Sequence, residues 1–217
     1  MQVIARMKNL LALFLFLSAL SCAFTTNDDQ HPAEQSGEIK ILNDREKWIA
    51  LFLQNKEHIA DGFDFPVGPP DAKGYYNAQP MGVNLHLGDD WNGVGGGNTD
   101  LGDPVYSVAH GFVDNVSNEG GGWGNVVRIV HAYYKSDSLQ LVESLYAHLE
   151  TVLVKQGAWI KRGEKLGTIG NCGGTYLAHL HLEMRDSVRM VLGGGYSDAT
   201  TGYLKPTDFI KAHCPKK

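Results

Sequence analysis

The chain has 217 residues, 43% of them hydrophobic, and a formal net charge of −5. That length can bury the core of one catalytic-sized domain and leaves some chain over for appendages. The acidic balance and the lack of any Lys/Arg-rich run exclude the basic stripe that a phosphate backbone requires, so no nucleic-acid partner is expected.

Residues 1–21 read as an address. Arg6 and Lys8 precede an apolar run from Leu10 to Leu20, and small residues follow around Ser21 and Cys22. This is the export-signal pattern, and the run is too short for a spanning helix. The stretch "SALSC" resembles a bacterial lipoprotein lipobox, with Ala19 at the position usually held by Leu. Lipidation at Cys22 and a cell-envelope or periplasmic location are therefore expected, with the membrane reached only through that anchor. Cleavage would remove Arg6 and Lys8 but no carboxylate, leaving the mature chain more acidic. Residues 22–42, polar and mixed in charge, read as a tether.

From Asn43, the apolar residues Trp48, Ile49, Leu51, Phe52 and Ile59 recur at helical spacing. With Asn43 or Asp44 as cap and Gly62 as stop, one amphipathic helix is predicted over 43–62, leaning on the domain that follows. His58 within it reads as a surface residue. After Gly62 the texture changes to short β-rich runs between turn signals: "PVYSVAH", "FVDNV", "NVVRIVH", "SLYAHL", "VLV", "KLGTI" and "HLHLEMR". No long helical pattern separates them, so 63–217 is predicted to be one mainly β domain without βαβ units. Gly93–Asn98 reads as a flexible loop.

The chemistry-bearing residues sit in this region. In "NLHLGDDWNG", three residues separate His86 from Asp90 with Gly88 between them, and a bend there brings an imidazole and a carboxylate to one cation. Zinc takes nitrogen and oxygen ligands, usually three from the protein in a hydrolytic site. Calcium or magnesium would want mainly oxygen. In "HLHLEMR", His179 and His181 face the same way from a strand while Leu180 and Leu182 face the opposite layer. Alone, such a pair reads as exposed strand histidines. His148, near the end of "SLYAHLE", reads alone as a core or surface histidine, yet a metal hydrolase also needs groups to move a proton and hold an oxyanion. His110 and His131 read as turn or strand-end residues, and His31 and His213 as tail residues. Cys172, in the glycine-rich turn "IGNCGGT", and Cys214 form an even pair in a compartment where disulfides persist. Either a structural bridge or inert thiols fit them.

Taken together, "HLGDD", "GDPVYSVAHGFV", "GGWGNVVRIVH", "SLYAHL", "VLVKQGAWIKRGEKLGTIG" and "HLHLEMRD" occur in an order that resembles the lysostaphin-like, or LytM-type, zinc endopeptidases, which cut peptidoglycan peptides. The resemblance covers approximately Phe65 to Arg185. It implies a compact antiparallel β-sheet or split-barrel catalytic domain, like a duplicated hybrid motif, carrying a short N-terminal helix. It also implies that His86, Asp90 and His181 bind Zn2+ and that His148 and His179 are the catalytic pair. The implied substrate is a peptidoglycan peptide, with stem-peptide cross-links favoured over glycine bridges. The chain departs from the pattern in two places: the connection over Trp91–Gly102 looks longer than usual, and Cys172 stands where small hydroxyl residues are common. Two other classes compete. A non-catalytic scaffold that binds or activates wall hydrolases shares the fold but typically lacks some of the five polar residues. A biotinyl- or lipoyl-type carrier shares the "VKQGAWIKRGEKLGTIG" turn pattern but explains neither histidine motif.

Overall fold

The computed structural model describes residues 43–215. The export signal, Cys22, the tether and His31 lie outside the described residues. Helix α1 spans Asp44–Gln54 and starts with a capping box: the Asn43 side chain accepts from Glu46 N, and Glu46 Oε2 accepts from Asn43 N, both at 2.9 Å. Trp48 and Phe52, one turn apart, are buried against the sheet, meeting Phe112 and Trp159 edge-on. The helix ends at Asn55, seven residues before the predicted stop at Gly62. Asn55 leaves helical geometry, and its side-chain amide donates to Leu51 O at 2.8 Å. A single 3-10 turn, Lys56–His58, follows. His58 is not a plain surface residue, because its ring stacks on Trp159 with centroids 4.3 Å apart.

Ten strands follow: β1 Tyr75–Gln79, β2 Asp89–Gly93, β3 Pro104–Tyr106, β4 Gly111–Asn118, β5 Asn125–Lys135, β6 Ser138–Val152, β7 Trp159–Ile160, β8 Lys165–Ile169, β9 Leu180–Arg185 and β10 Tyr203–Leu204. Helix α2, Pro206–His213, closes the described chain. All strand pairings are antiparallel, and the main order is β1-β2-β9-β6-β5-β4-β7, with β10 beside β9 and β8 between β3 and β6. The fold is thus mainly β, as expected, in one unclosed sheet. Trp91 and Asn92 belong to β2, so the glycine-rich connection begins after Gly93.

The long strand β6 organises the molecule. One edge pairs with β5 along most of its length. The other edge is shared, Glu143–Ala147 lying against β9 and Leu149–Val152 against β8. His148 stands at the division with φ +60°, a conformation uncommon for any residue but glycine. The register with β5 also slips here, which bends β6 away from one neighbour and toward the next.

Both faces of the central strands are covered, so both are buried. Leu180, Leu182, Met184, Tyr146, Val127 and Ile129 join the main core on one face. On the other, α1 covers Val130, Ala132 and Leu141, while the segment after β9 covers Glu143, Glu183 and Arg185. His131 is not at a strand end: β5 continues to Lys135, and the ring is fully buried. Its Nδ1 donates to His110 O at 2.8 Å and its Nε2 lies 2.7 Å from Ser144 Oγ. His213 is the last residue of α2, stacked on Phe209. Cys172 and Cys214 are both free thiols, so the bridge considered above is not formed. Among the described residues, no helix is long and apolar enough to cross a membrane.

Candidate metal and catalytic site

Three elements meet at the open side of β2 and β9. Asp90 and His181 are cross-strand partners. His86 reaches them from the turn before β2, where its backbone bridges to Tyr196 and Leu87 N donates to Gly195 O. Gly88 makes that approach feasible. A Cβ there would stand 2.5 Å from Leu182 O and 2.8 Å from His181 Cε1, so any other residue would push the turn off β9.

Three atoms converge: His86 Nε2 and His181 Nδ1 are 3.0 Å apart, His181 Nδ1 and Asp90 Oδ1 2.9 Å, and His86 Nε2 and Asp90 Oδ1 3.3 Å. They form the one group of three or more His, Cys, Asp or Glu side chains among the described residues placed to hold a metal ion. Ligand atoms bound to a tetrahedral zinc lie roughly 3.3–3.5 Å from one another, so the triangle is close to that size. The outer hydrogen bonds set the lone pairs. His86 Nδ1 donates to Gln79 O at 3.1 Å, which leaves Nε2 as an acceptor facing the cluster. His181 Nε2 lies 3.2 Å from Glu183 Oε1, and once it donates there Nδ1 likewise faces inward as an acceptor. Two lone pairs and a carboxylate oxygen aimed at one point suit a small divalent cation, and the N2O donor set suits zinc better than calcium or magnesium.

The electrostatics follow the same geometry. Burial works to raise the Asp90 pKa, but the imidazoles of His181 and His86 beside it outweigh that and hold the carboxyl well below the usual range. For His181, burial works to lower the pKa, yet hydrogen bonds to Asp90 and Glu183 push it up to about 9, so the Nδ1 lone pair is offered to a cation in exchange for a proton. Glu183 is itself fully buried and is held by the equally buried Arg185 through Nε at 2.7 Å. The chain of contacts continues, since Arg185 is 3.8 Å from Glu143, which accepts from Arg128 at 2.7 Å.

His148 and His179 flank this cluster, their ring centroids 4.6 Å apart. His179 Nδ1 donates to Leu177 O at 2.8 Å, and its Nε2 is turned toward Asp90 Oδ1 at 3.8 Å. His148 Nδ1 is engaged by Trp123 O at 3.4 Å and Cys172 Sγ at 3.3 Å, which leaves its other nitrogen on the side away from both. Burial, reinforced by His181 and His179, lowers the His148 pKa to about 3 and keeps the ring neutral. All five residues singled out from the sequence thus line one cleft of about 570 Å³. Tyr176, Trp123 and Tyr196 supply aromatic walls, and Asn92 adds a polar side chain. Sequence reasoning missed these walls and Glu183. The signal for Glu183 was present, because His179, His181, Glu183 and Arg185 alternate along "HLHLEMR".

Asn98 ties the glycine-rich connection to this site, its Oδ1 accepting from Ala178 N at 2.7 Å.

Comparison with known proteins bears on the arrangement. The model of peptidase family M23 matches residues 90–192, a span that includes Asp90, His148, His179 and His181 and begins four residues after His86. Lipoprotein NlpD of Yersinia enterocolitica is 37% identical over 84 residues, which is 39% of this chain and 78% of that protein. The chain belongs to peptidase family M23. It is also 38% identical over 101 residues to the DD-carboxypeptidase/endopeptidase Mpg of Neisseria meningitidis serogroup B, covering 46% of this chain but only 20% of that relative. Among solved structures, the catalytic domain of lysostaphin from Staphylococcus simulans aligns with a TM-score of 0.43 and 21% identity, covering 69% of this chain and 89% of that one.

Proposed function

We propose that this M23 protein is a zinc metalloendopeptidase that hydrolyses peptide bonds in peptidoglycan for cell-wall remodelling. In this reading His86, Asp90 and His181 hold the zinc, and His148 and His179 are the catalytic pair. The observation that carries it is the convergence of two imidazole lone pairs and Asp90 Oδ1 on one point, with two further imidazoles beside that point in the same cleft.

Bound zinc would supply a water with a pKa of about 7 and polarise a carbonyl. The remaining work falls to the chain. Because His179 donates from Nδ1 to Leu177 O, its Nε2 presents a lone pair to the cleft and accepts a proton there. His148, neutral through burial, carries its proton on the second nitrogen when Nδ1 accepts from the Cys172 thiol, and that N–H then hydrogen-bonds a developing oxyanion in the same space. Tyr176 packs near both rings, at 5.3 and 5.8 Å, and limits their movement.

Stem-peptide cross-links are the favoured substrate over glycine bridges. The acidic chain with a lipobox-like Cys22 suits a Gram-negative envelope, and the relative named for DD-carboxypeptidase and endopeptidase activity supports the same class. The test is digestion of purified sacculi by zinc-loaded protein, with identification of the released muropeptides. Cleaved cross-links support the reading. Sacculi that bind the protein and release nothing would replace the enzyme with the scaffold.

A further inference from the structure

The strand that carries Asp90 has a second face. Side chains alternate along β2, so Asp90 and Asn92 line the catalytic cleft while Asp89 and Trp91 point to the reverse side. There they border a separate cavity of about 520 Å³, lined also by Phe65 and Tyr75 and by Lys205, Thr207, Asp208 and Lys211 at the start and on one side of α2. Trp91 pairs across the sheet with Asn77 of β1, which lines the same cavity. Trp91 is only 5% exposed, and its indole N–H has no hydrogen-bond partner. Asn77 Oδ1 is likewise buried and without a partner, although its Nδ2 donates to Thr207 Oγ1 at 3.3 Å. A buried donor left unpaired costs about 1–3 kcal/mol, so two such groups on one cross-strand pair need a physical reason. Asp89 offers no relief, because it already accepts from Met81 N, Thr207 N and Thr207 Oγ1.

We propose that this cavity is a second binding site, for a short peptide with free termini. Both atoms are closed to solvent, and a small turn of the Trp91 and Asn77 side chains toward the cavity lets one peptide unit supply both missing partners, its carbonyl accepting from Trp91 Nε1 and its N–H donating to Asn77 Oδ1. The rim carries charges of both signs, with Lys205 and Lys211 suited to a carboxylate and Asp71 and Asp208 to an ammonium. The volume falls within the usual range for small-molecule sites. Because β2 presents Trp91 to this cavity and Asp90 to the cleft, occupancy bears directly on the strand that positions the candidate metal ligand. The site stands on its own observations and does not depend on peptidase activity.

The test is titration of the full-length, 15N-labelled protein with L-alanyl-L-alanine, N-methylacetamide and sodium acetate, following the indole N–H signals of its four tryptophans. Trp123 lines the catalytic cleft and reports binding there. The dipeptide should move the Trp91 signal saturably and leave Trp123 in place. N-methylacetamide should move Trp91 more weakly, and acetate should not move it. Lys205→Glu combined with Lys211→Glu, both on the exposed rim, should weaken the dipeptide several-fold without disturbing the fold. A Trp91 signal unmoved by the dipeptide, its N–H held by Asn77 itself, would overturn the proposal. Movement of Trp91 only together with Trp123, or dipeptide affinity unchanged in the double variant, would overturn it equally.

Discussion

Asp90 on β2 and His181 on β9 face each other across paired strands, Oδ1 to Nδ1 at 2.9 Å. Two of the three converging groups are therefore positioned by a backbone ladder. Sites on strands hold such geometry more closely than sites on loops. His86 is the exception: it comes from a turn and depends on Gly88 for its approach.

This division separates ligands from catalysts in experiment. His86→Ala, Asp90→Ala or His181→Ala should cost both zinc and activity, because two remaining ligands hold the ion weakly. His148→Ala and His179→Ala should keep zinc near one per chain and still lose roughly 10²–10⁴ in turnover. Elemental analysis beside a sacculus assay, with circular dichroism as a folding control, reads both. Parent-rate cleavage by the His148 and His179 variants would dismiss the catalytic assignment. Zinc lost from His179→Ala and kept by His181→Ala would exchange the two roles.

Under the proposed zinc reading, Glu183 acts on the metal through His181. Its Oε1 receives the Nε2 proton and so fixes which nitrogen faces the ion, while Arg185 holds the carboxylate in place. Glu183→Gln should weaken zinc affinity by about 10- to 100-fold, measured by competition with a chromophoric chelator. Glu183→Ala should in addition destabilise the fold by about 3–5 kcal/mol, because Arg185 is left buried without its main partner. Unchanged zinc affinity in a folded Glu183→Gln protein would remove the positioning role.

The location reading rests on "SALSC". The mature chain is expected to start at Cys22 with a lipid-modified N-terminus carrying more than one acyl chain, since a single chain anchors only marginally. Mass spectrometry of the mature N-terminus decides this. An unmodified start elsewhere sinks the anchor and leaves the peptidase reading standing.

What the sequence made legible was whatever has a local period. The alternation in "HLHLEMR" put His179 and His181 on one face, and the helical spacing of Trp48 and Phe52 put both against the sheet. Features that depend on distant chain were not legible. His148 owes its φ and its place to β6 leaving β9 for β8, two partners that no local pattern announces. His131 reads as a strand end because it closes the branched run "VVRIVH", yet Ala132–Lys135 continue the ladder to Ser138. The helix stops at Asn55 because that side chain turns back to Leu51 O, whereas Gly62 offered only the stronger generic signal. The buried file of Glu183, Arg185 and Glu143 becomes intelligible only once the segment carrying Met190 and Leu192 covers it.

His131 gives the protein a pH-dependent stability that is separate from catalysis. Burial lowers its pKa from 6.5 to about 4, partly offset by the hydrogen bond to His110 O. The folded pKa lies below the unfolded one, so the neutral ring's contribution is complete above pH 6.5 and is lost as pH falls toward 4, where the unfolded chain takes up a proton and the native state does not. The loss should reach about 2 kcal/mol by pH 5 and about 3 kcal/mol in full. Protonation would also disturb the contact between Nε2 and Ser144 Oγ, 2.7 Å apart. Urea unfolding of the full chain between pH 7 and 5 measures the slope. His131→Asn, which cannot titrate but can still donate and accept, should be less stable at pH 7 and should flatten the profile. A parent protein equally stable at pH 7 and pH 5, or a His131→Asn profile as steep as the parent's, would show that this buried imidazole does not govern the acid limb.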